Sequence, residues 1–231
     1  MKKIISLILA ALMLLSVLAG CHRDPEYMET TEPSETLSGI VHMPTALPNR
    51  TVTLGTLIGG VYRNEYTGYV CNLSSIWTAR SADALQQLPE NVDQILKDSD
   101  STELQQIQVL RADATRQSIR VNYTLLNTYD RTRFASMTEA EIIDLLLQEK
   151  FMLESLYKAD GITVSSIEKT TVTFAGKERT ALFVTGQYKG QDHYMVEIYD
   201  YQLGRYSVIT TLATTGEDRT AELLAAFKPI S

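Results

Sequence analysis

Few residues in this chain combine a reactive type with a useful spacing, and Cys21 stands first among them. It closes the run Leu18-Ala19-Gly20-Cys21. The slim side chains of Ala19 and Gly20 leave room for a peptidase at the bond between Gly20 and Cys21, and the Cys21 thiol is a nucleophile able to accept a lipid. The second thiol, Cys71, sits in the strand-like run Tyr69-Val70-Cys71-Asn72-Leu73. With Cys21 modified it has no disulfide partner, and a small buried apolar side chain is expected. A Cys-His enzyme would need a histidine nearby, yet His22 and His42 precede the folded region and only His193 lies within it. Glu139, Glu141 and Asp144 gather where a helix begins, and helix-start chemistry accounts for them. A hydrolase would rest on Asp or Glu residues such as Glu197 and Asp200.

The elements before Cys21 say what its chemistry would serve. Lys2 and Lys3 give a positive start, and Ile4 to Ala19 is apolar apart from Ser6 and Ser16. Such a run matches the core of a secretory signal and is short for a membrane span, which needs roughly 18 to 20 residues. The whole pattern resembles the lipobox of bacterial lipoproteins. That resemblance implies residues 1–20 as a cleaved signal peptide, lipid attachment at Cys21 through a thioether, and residence on the extracytoplasmic face of the cell membrane. An uncleaved anchor and an ordinary secreted protein are the competing readings.

From His22 to Arg50 the chain holds Pro25, Pro33, Pro44 and Pro48 among Glu, Thr and Ser, so residues 21–50 read as a lipidated cysteine and a disordered tether. A flexible coil of that size spans ~30 Å root-mean-square. Residues 51–231 suit a single α+β domain with one core. The formal net charge is -7, and loss of Lys2 and Lys3 with the leader would make it -9. That balance argues against nucleic acid as a partner and against electrostatic attachment to an anionic bilayer. The membrane is then met through the covalent lipid.

Within the domain, glycine punctuates alternating apolar residues. Val61-Tyr62 and Tyr69 to Leu73 flank a turn at 64–68, which predicts a hairpin. Ser81 to Leu88 and Asn91 to Lys97 predict short helical segments, and Glu103 to Arg111 a strand. The clearest strand runs from Gln117 to Leu125, where Ile119, Val121, Tyr123 and Leu125 alternate with Ser118, Arg120, Asn122 and Thr124. Thr138 with Glu141 forms a capping box, and one long helix is predicted from Thr138 until Gly161 closes it. Its apolar stripe of Ile142, Leu145, Leu146, Met152, Leu153 and Leu156, widened by Ile143, Leu147 and Phe151, suggests packing on a sheet. Ile162–Phe174, Thr180–Gln187, His193–Leu203 and Arg205–Ala213 then predict an antiparallel meander, followed by a helix from Glu217 to Lys228. Gly176-Lys177 and Gly186 to Gly190 lack phosphate-loop spacing and read as hairpin turns. No zinc, calcium or nucleophile-elbow motif is present, and no cofactor is expected.

The run Tyr62-Arg63-Asn64-Glu65-Tyr66-Thr67-Gly68-Tyr69, Trp77 with its following helix, and Lys169 to Glu178 resemble small lipoproteins of clostridia-type bacteria. These are similar to the PsbP-like fold, an antiparallel sheet layered with helices. The resemblance covers residues 51–231 and implies a fold but no activity. Tyr194, Tyr199, Tyr201 and Tyr206 cluster in the last hairpins, and an amphipathic ring suits a contact surface. The expected function is therefore a lipid-anchored interaction module that holds an envelope protein or glycan on a tyrosine-rich face. A hydrolase built on Glu197 and Asp200, or a small-ligand carrier, stands as the alternative.

Overall fold

A computed structural model describes residues 51–98 and 100–230. Gly20, Cys21 and the segments expected to be a signal peptide and a tether lie outside the described residues. Among the described residues, alternation of apolar and polar side chains builds eleven strands, gathered into two antiparallel sheets. The smaller sheet runs in the order β1 (Thr56–Ile58), β2 (Val61–Asn64), β3 (Tyr69–Asn72), β11 (Phe227–Pro229). The larger has β4 (Thr78–Ser81), β5 (Gln106–Ala114), β6 (Gln117–Leu125), then β10 (Tyr206–Thr215), β9 (Gln191–Asp200), β8 (Lys177–Tyr188) and β7 (Ile162–Phe174). The fold is α+β, and the meander from β7 to β10 is present as expected.

Six helices interrupt the strands among the described residues: α1 (Ala82–Leu85), α2 (Val92–Lys97), α3 (Thr128–Ala135), α4 (Glu139–Gln148), α5 (Lys150–Ala159) and α6 (Thr220–Ala225). The capping box forms: Thr138 Oγ1 accepts the Glu141 N–H at 3.2 Å and Glu141 Oε2 accepts the Thr138 N–H at 2.7 Å. The expected single helix from Thr138 is two, because Glu149 leaves helical geometry at φ -99° and ψ 31°. That break re-aims the apolar stripe. Ile142, Ile143, Leu153 and Tyr157 are buried against the sheet, whereas Phe151 faces solvent. α3 is not among the predicted helices; Asn127 caps it by accepting the Asp130 N–H at 2.8 Å.

The C-terminal helix is shorter than predicted. It ends at Ala225, and Phe227, Lys228 and Pro229 become a strand paired with β3, Phe227 opposite Cys71. Proline is admitted there because β11 is an edge strand. Gly186 lies within β8 rather than in a turn. A Cβ at that position would run into the Thr163 carbonyl oxygen, beside the irregularity between Val164 and Ser166. Glycine is required by close backbone approach.

The two faces of the larger sheet bury separate clusters, where one core was expected. Against the smaller sheet lie Ile107, Ile119, Val121, Tyr123, Tyr206, Val208 and Leu212, with Tyr62, Tyr69, Cys71 and Phe227 opposite them. On the other face Leu182, Val184, Met195 and Tyr199 meet Ile142, Ile143, Leu153 and Tyr157. The α4–α5 pair packs on β7 and β8.

Candidate functional site

The tyrosines expected to form a binding face do not form one. Tyr199, Tyr201 and Tyr206 are buried, while Tyr194 is half-buried. Strand alternation also divides them. Tyr199 and Tyr201 join the cluster beneath the helices, whereas Tyr206 packs between the sheets against Tyr123 at a ring separation of 6.0 Å. Tyrosine is abundant here because its hydroxyl can satisfy polar atoms inside an apolar layer.

Asn64 shows how. It is fully buried, and its Nδ2 donates to the Tyr62 and Tyr123 hydroxyls at 2.6 Å each. Those hydroxyls donate onward to the Leu54 and Thr53 carbonyls at 2.9 and 3.0 Å. Asn64 Oδ1 accepts the Tyr66 N–H at 3.0 Å. Tyr66 in turn donates to the Tyr206 carbonyl at 2.9 Å and accepts the Tyr206 N–H at 3.1 Å. Burial pushes the Tyr66 hydroxyl up to about 12, so these groups stay neutral and serve as fixed donors. Gly55 belongs to the same arrangement: a Cβ there would stand 2.7 Å from the Tyr62 ring.

The carboxylates invoked for a hydrolase do not converge. Glu197 faces the helix layer, where its Oε2 accepts from the Tyr157 hydroxyl at 2.7 Å and the Tyr199 hydroxyl at 2.5 Å. Thr211 donates to Oε1 at 3.3 Å. Burial raises the Glu197 carboxyl above the ordinary range, and the three hydroxyl donors oppose the rise. Asp200 lies three residues along β9, on the opposite face by strand alternation, and pairs with Arg179 at 3.5 Å. Arg179 also holds Glu139 of α4 at 2.5 Å, so one member of the acidic helix-start cluster is a structural tie. Cys71 is buried, and burial pushes its thiol up to about 12, which suits the inert role expected of it.

The strongest unsatisfied feature lies on the half of the larger sheet beyond the α4–α5 pair. Register aligns Arg80 with Arg111, Arg111 with Arg120, Arg120 with Thr211, and Thr211 with Glu197. Three arginines therefore stand side by side on β4, β5 and β6, facing away from the smaller sheet. Arg80 and Arg111 are exposed and Arg120 is half-buried. Arg111 has an ion pair with Asp113 at 2.7 Å. Among the described residues, Arg80 and Arg120 have none, and Arg120 Nε is buried without a hydrogen-bond partner. His193, on β9 four residues before Glu197, is held below its ordinary value by burial first and by the Arg120 charge second.

Around the row stand Gln108 and Asn122, joined at 3.2 Å. Alternation along β6 marks Arg120 and Asn122 as the wet side of a strand and carries no information about their neighbours on β4 and β5. The signal was present as three arginines on separate strands, but their alignment depends on register, including the irregularity between Gln108 and Leu110. Among the described residues no three His, Cys, Asp or Glu side chains are grouped to hold a metal ion, and no helix is long and apolar enough to cross a membrane. Neither a family model nor a curated protein matches the chain.

Proposed function

We propose that this protein is a lipid-anchored, extracytoplasmic binding module of the PsbP-like type, presenting the open half of its larger sheet to a partner in the cell envelope. The observation that carries the reading is the unequal cover of that sheet. Helices α4 and α5 bury the β7–β8 side, while the outward side chains of β5 and β6 form a polar shelf of Gln108, Arg111, Arg120 and Asn122, half-buried or exposed. A shelf of forked donors with unspent hydrogen-bonding capacity is suited to recognition. The Cys21 lipid would hold the domain at the membrane and the tether would let the shelf turn toward its partner, since two or more acyl chains anchor stably.

Two experiments test the reading separately. Cys21→Ala should accumulate as unprocessed precursor or leave the membrane fraction, and lipid-bearing Cys21→Ala protein in the membrane would overturn the anchor. A photo-crosslinking residue at Gln108 or Asn122 should capture an envelope component in the native cell, whereas the same residue at Glu178, in the β7–β8 hairpin, should not. Equal capture from both positions would overturn the shelf.

A further inference from the structure

Resting on that reading of the shelf, we infer that the row Arg80–Arg111–Arg120 binds a linear, phosphodiester-linked polyanion lying across strands β4, β5 and β6. Adjacent strands are ~4.8 Å apart, so the three side chains arise within ~10 Å of one another along a line perpendicular to the strands. Like charges directly opposite each other on a sheet destabilise it. Here two such pairs share the middle arginine, on a chain with only 21 Lys and Arg against 28 Asp and Glu. An arrangement that stability disfavours, with one exposed carboxylate to offset it, is what an anion-binding row requires.

Local acids do little to fill the row. Asp113 meets Arg111 with both side chains nearly half exposed, where an ion pair contributes little and is readily exchanged. Glu197 at the far end is engaged by Tyr157, Tyr199 and Thr211. The net acidity of the molecule does not forbid the site, because charges beyond a Debye length of about 8 Å at physiological ionic strength are largely screened.

A phosphodiester chain fits better than an acidic polypeptide. Its charges belong to the backbone itself, so a thin strand can place successive phosphates against successive guanidinium forks. A polypeptide must bring each carboxylate in on a side chain, and one that paired with the edge strand β4 would run along the strands and not across the row. No aromatic ring lies in the row to stack a base.

Calorimetry on the full-length protein in neutral detergent, with linear poly(glycerol phosphate) as probe, tests the inference. Binding is expected at low salt, weakening as salt rises. Arg80→Gln, Arg111→Gln and Arg120→Gln should each weaken it roughly fivefold to tenfold, as expected for a charge-assisted contact, and the triple variant should abolish it. The unliganded variants should melt at the same temperature as the parent or slightly higher, which separates lost binding from lost folding. Unchanged affinity in the triple variant overturns the inference. So does equal affinity for polyglutamate or for inorganic phosphate, which would mean an acidic polypeptide or a single-anion site. If the probe fails to bind while Gln108 still crosslinks in cells, the polyanion is wrong and the shelf stands. Loss of both removes the shelf as well.

Discussion

Between the two sheets, Asn64 and the hydroxyls of Tyr62, Tyr66 and Tyr123 each find a partner within the protein. On the opposite face, beyond the helix pair, Arg80 and Arg120 carry full charges with no ion-pair partner among the described residues. The first region spends its polar atoms on holding the fold, and the second leaves two of its three arginines without an ion pair among the described residues. Residue type alone does not separate the two. Tyrosine suited a binding surface on general grounds, yet in this molecule it is a tie between buried layers, while arginine on a half-covered sheet is the group with capacity to spare.

The comparison can be broken most readily at Asn64. Asn64→Ala removes the acceptor of the Tyr66 N–H in a dry layer and the donor to two tyrosine hydroxyls, which keep their bonds to the Leu54 and Thr53 carbonyls. The loss should be about 3 kcal/mol, as an unsatisfied buried group costs about 1 to 3 kcal/mol and each lost hydrogen bond about 1 kcal/mol. Chemical denaturation measures it, and a loss below 1 kcal/mol would mean that the closed face is not held by its polar ties. Tyr157→Phe should follow at about 1.5 kcal/mol, because it removes one donor to a buried carboxyl.

That same carboxyl makes a prediction in pH. The folded Glu197 value is raised above its unfolded one, so the folded state binds the extra proton between the two. Its contribution to stability is full below the unfolded value and is lost as pH rises through the folded value. Glu197→Gln should remove that downward slope above the ordinary carboxylate range, read from denaturation midpoints across a pH series. A slope unchanged by the substitution would assign it to another group.

Smaller effects sharpen the contrast. Thr138→Ala breaks the capping box at α4 and should destabilise by about 1 kcal/mol. Arg80→Gln relieves an opposed pair of like charges and should leave stability unchanged or raise it by a few tenths of a kcal/mol. A clear loss of thermal stability in Arg80→Gln would place the arginine row with the structural ties instead.

Local chemistry made much of the fold legible. Gln117–Leu125 and Ile162–Phe174 were read with the boundaries they have, because strict alternation and glycine turns act over a few residues. The Thr138 capping box was equally plain. β11 was not, since Phe227-Lys228-Pro229 becomes a strand only by pairing with β3, and no local signal foretells that. The break at Glu149 escaped for a related reason: the stripe on either side is continuous in sequence, and the sheet beneath decides which residues it buries.

By itself the sequence determined the leader pattern ending at Cys21, the antiparallel meander and the helix starts, all of them set by neighbours a few residues apart. Which face each tyrosine would occupy, and whether Glu197 and Asp200 would meet, waited on tertiary structure, because strand register and layer order set those outcomes. The same is true of Arg80, Arg111 and Arg120. They are separated by 31 and 9 positions in the chain, and hydrogen bonding between β4, β5 and β6 brings them into one row.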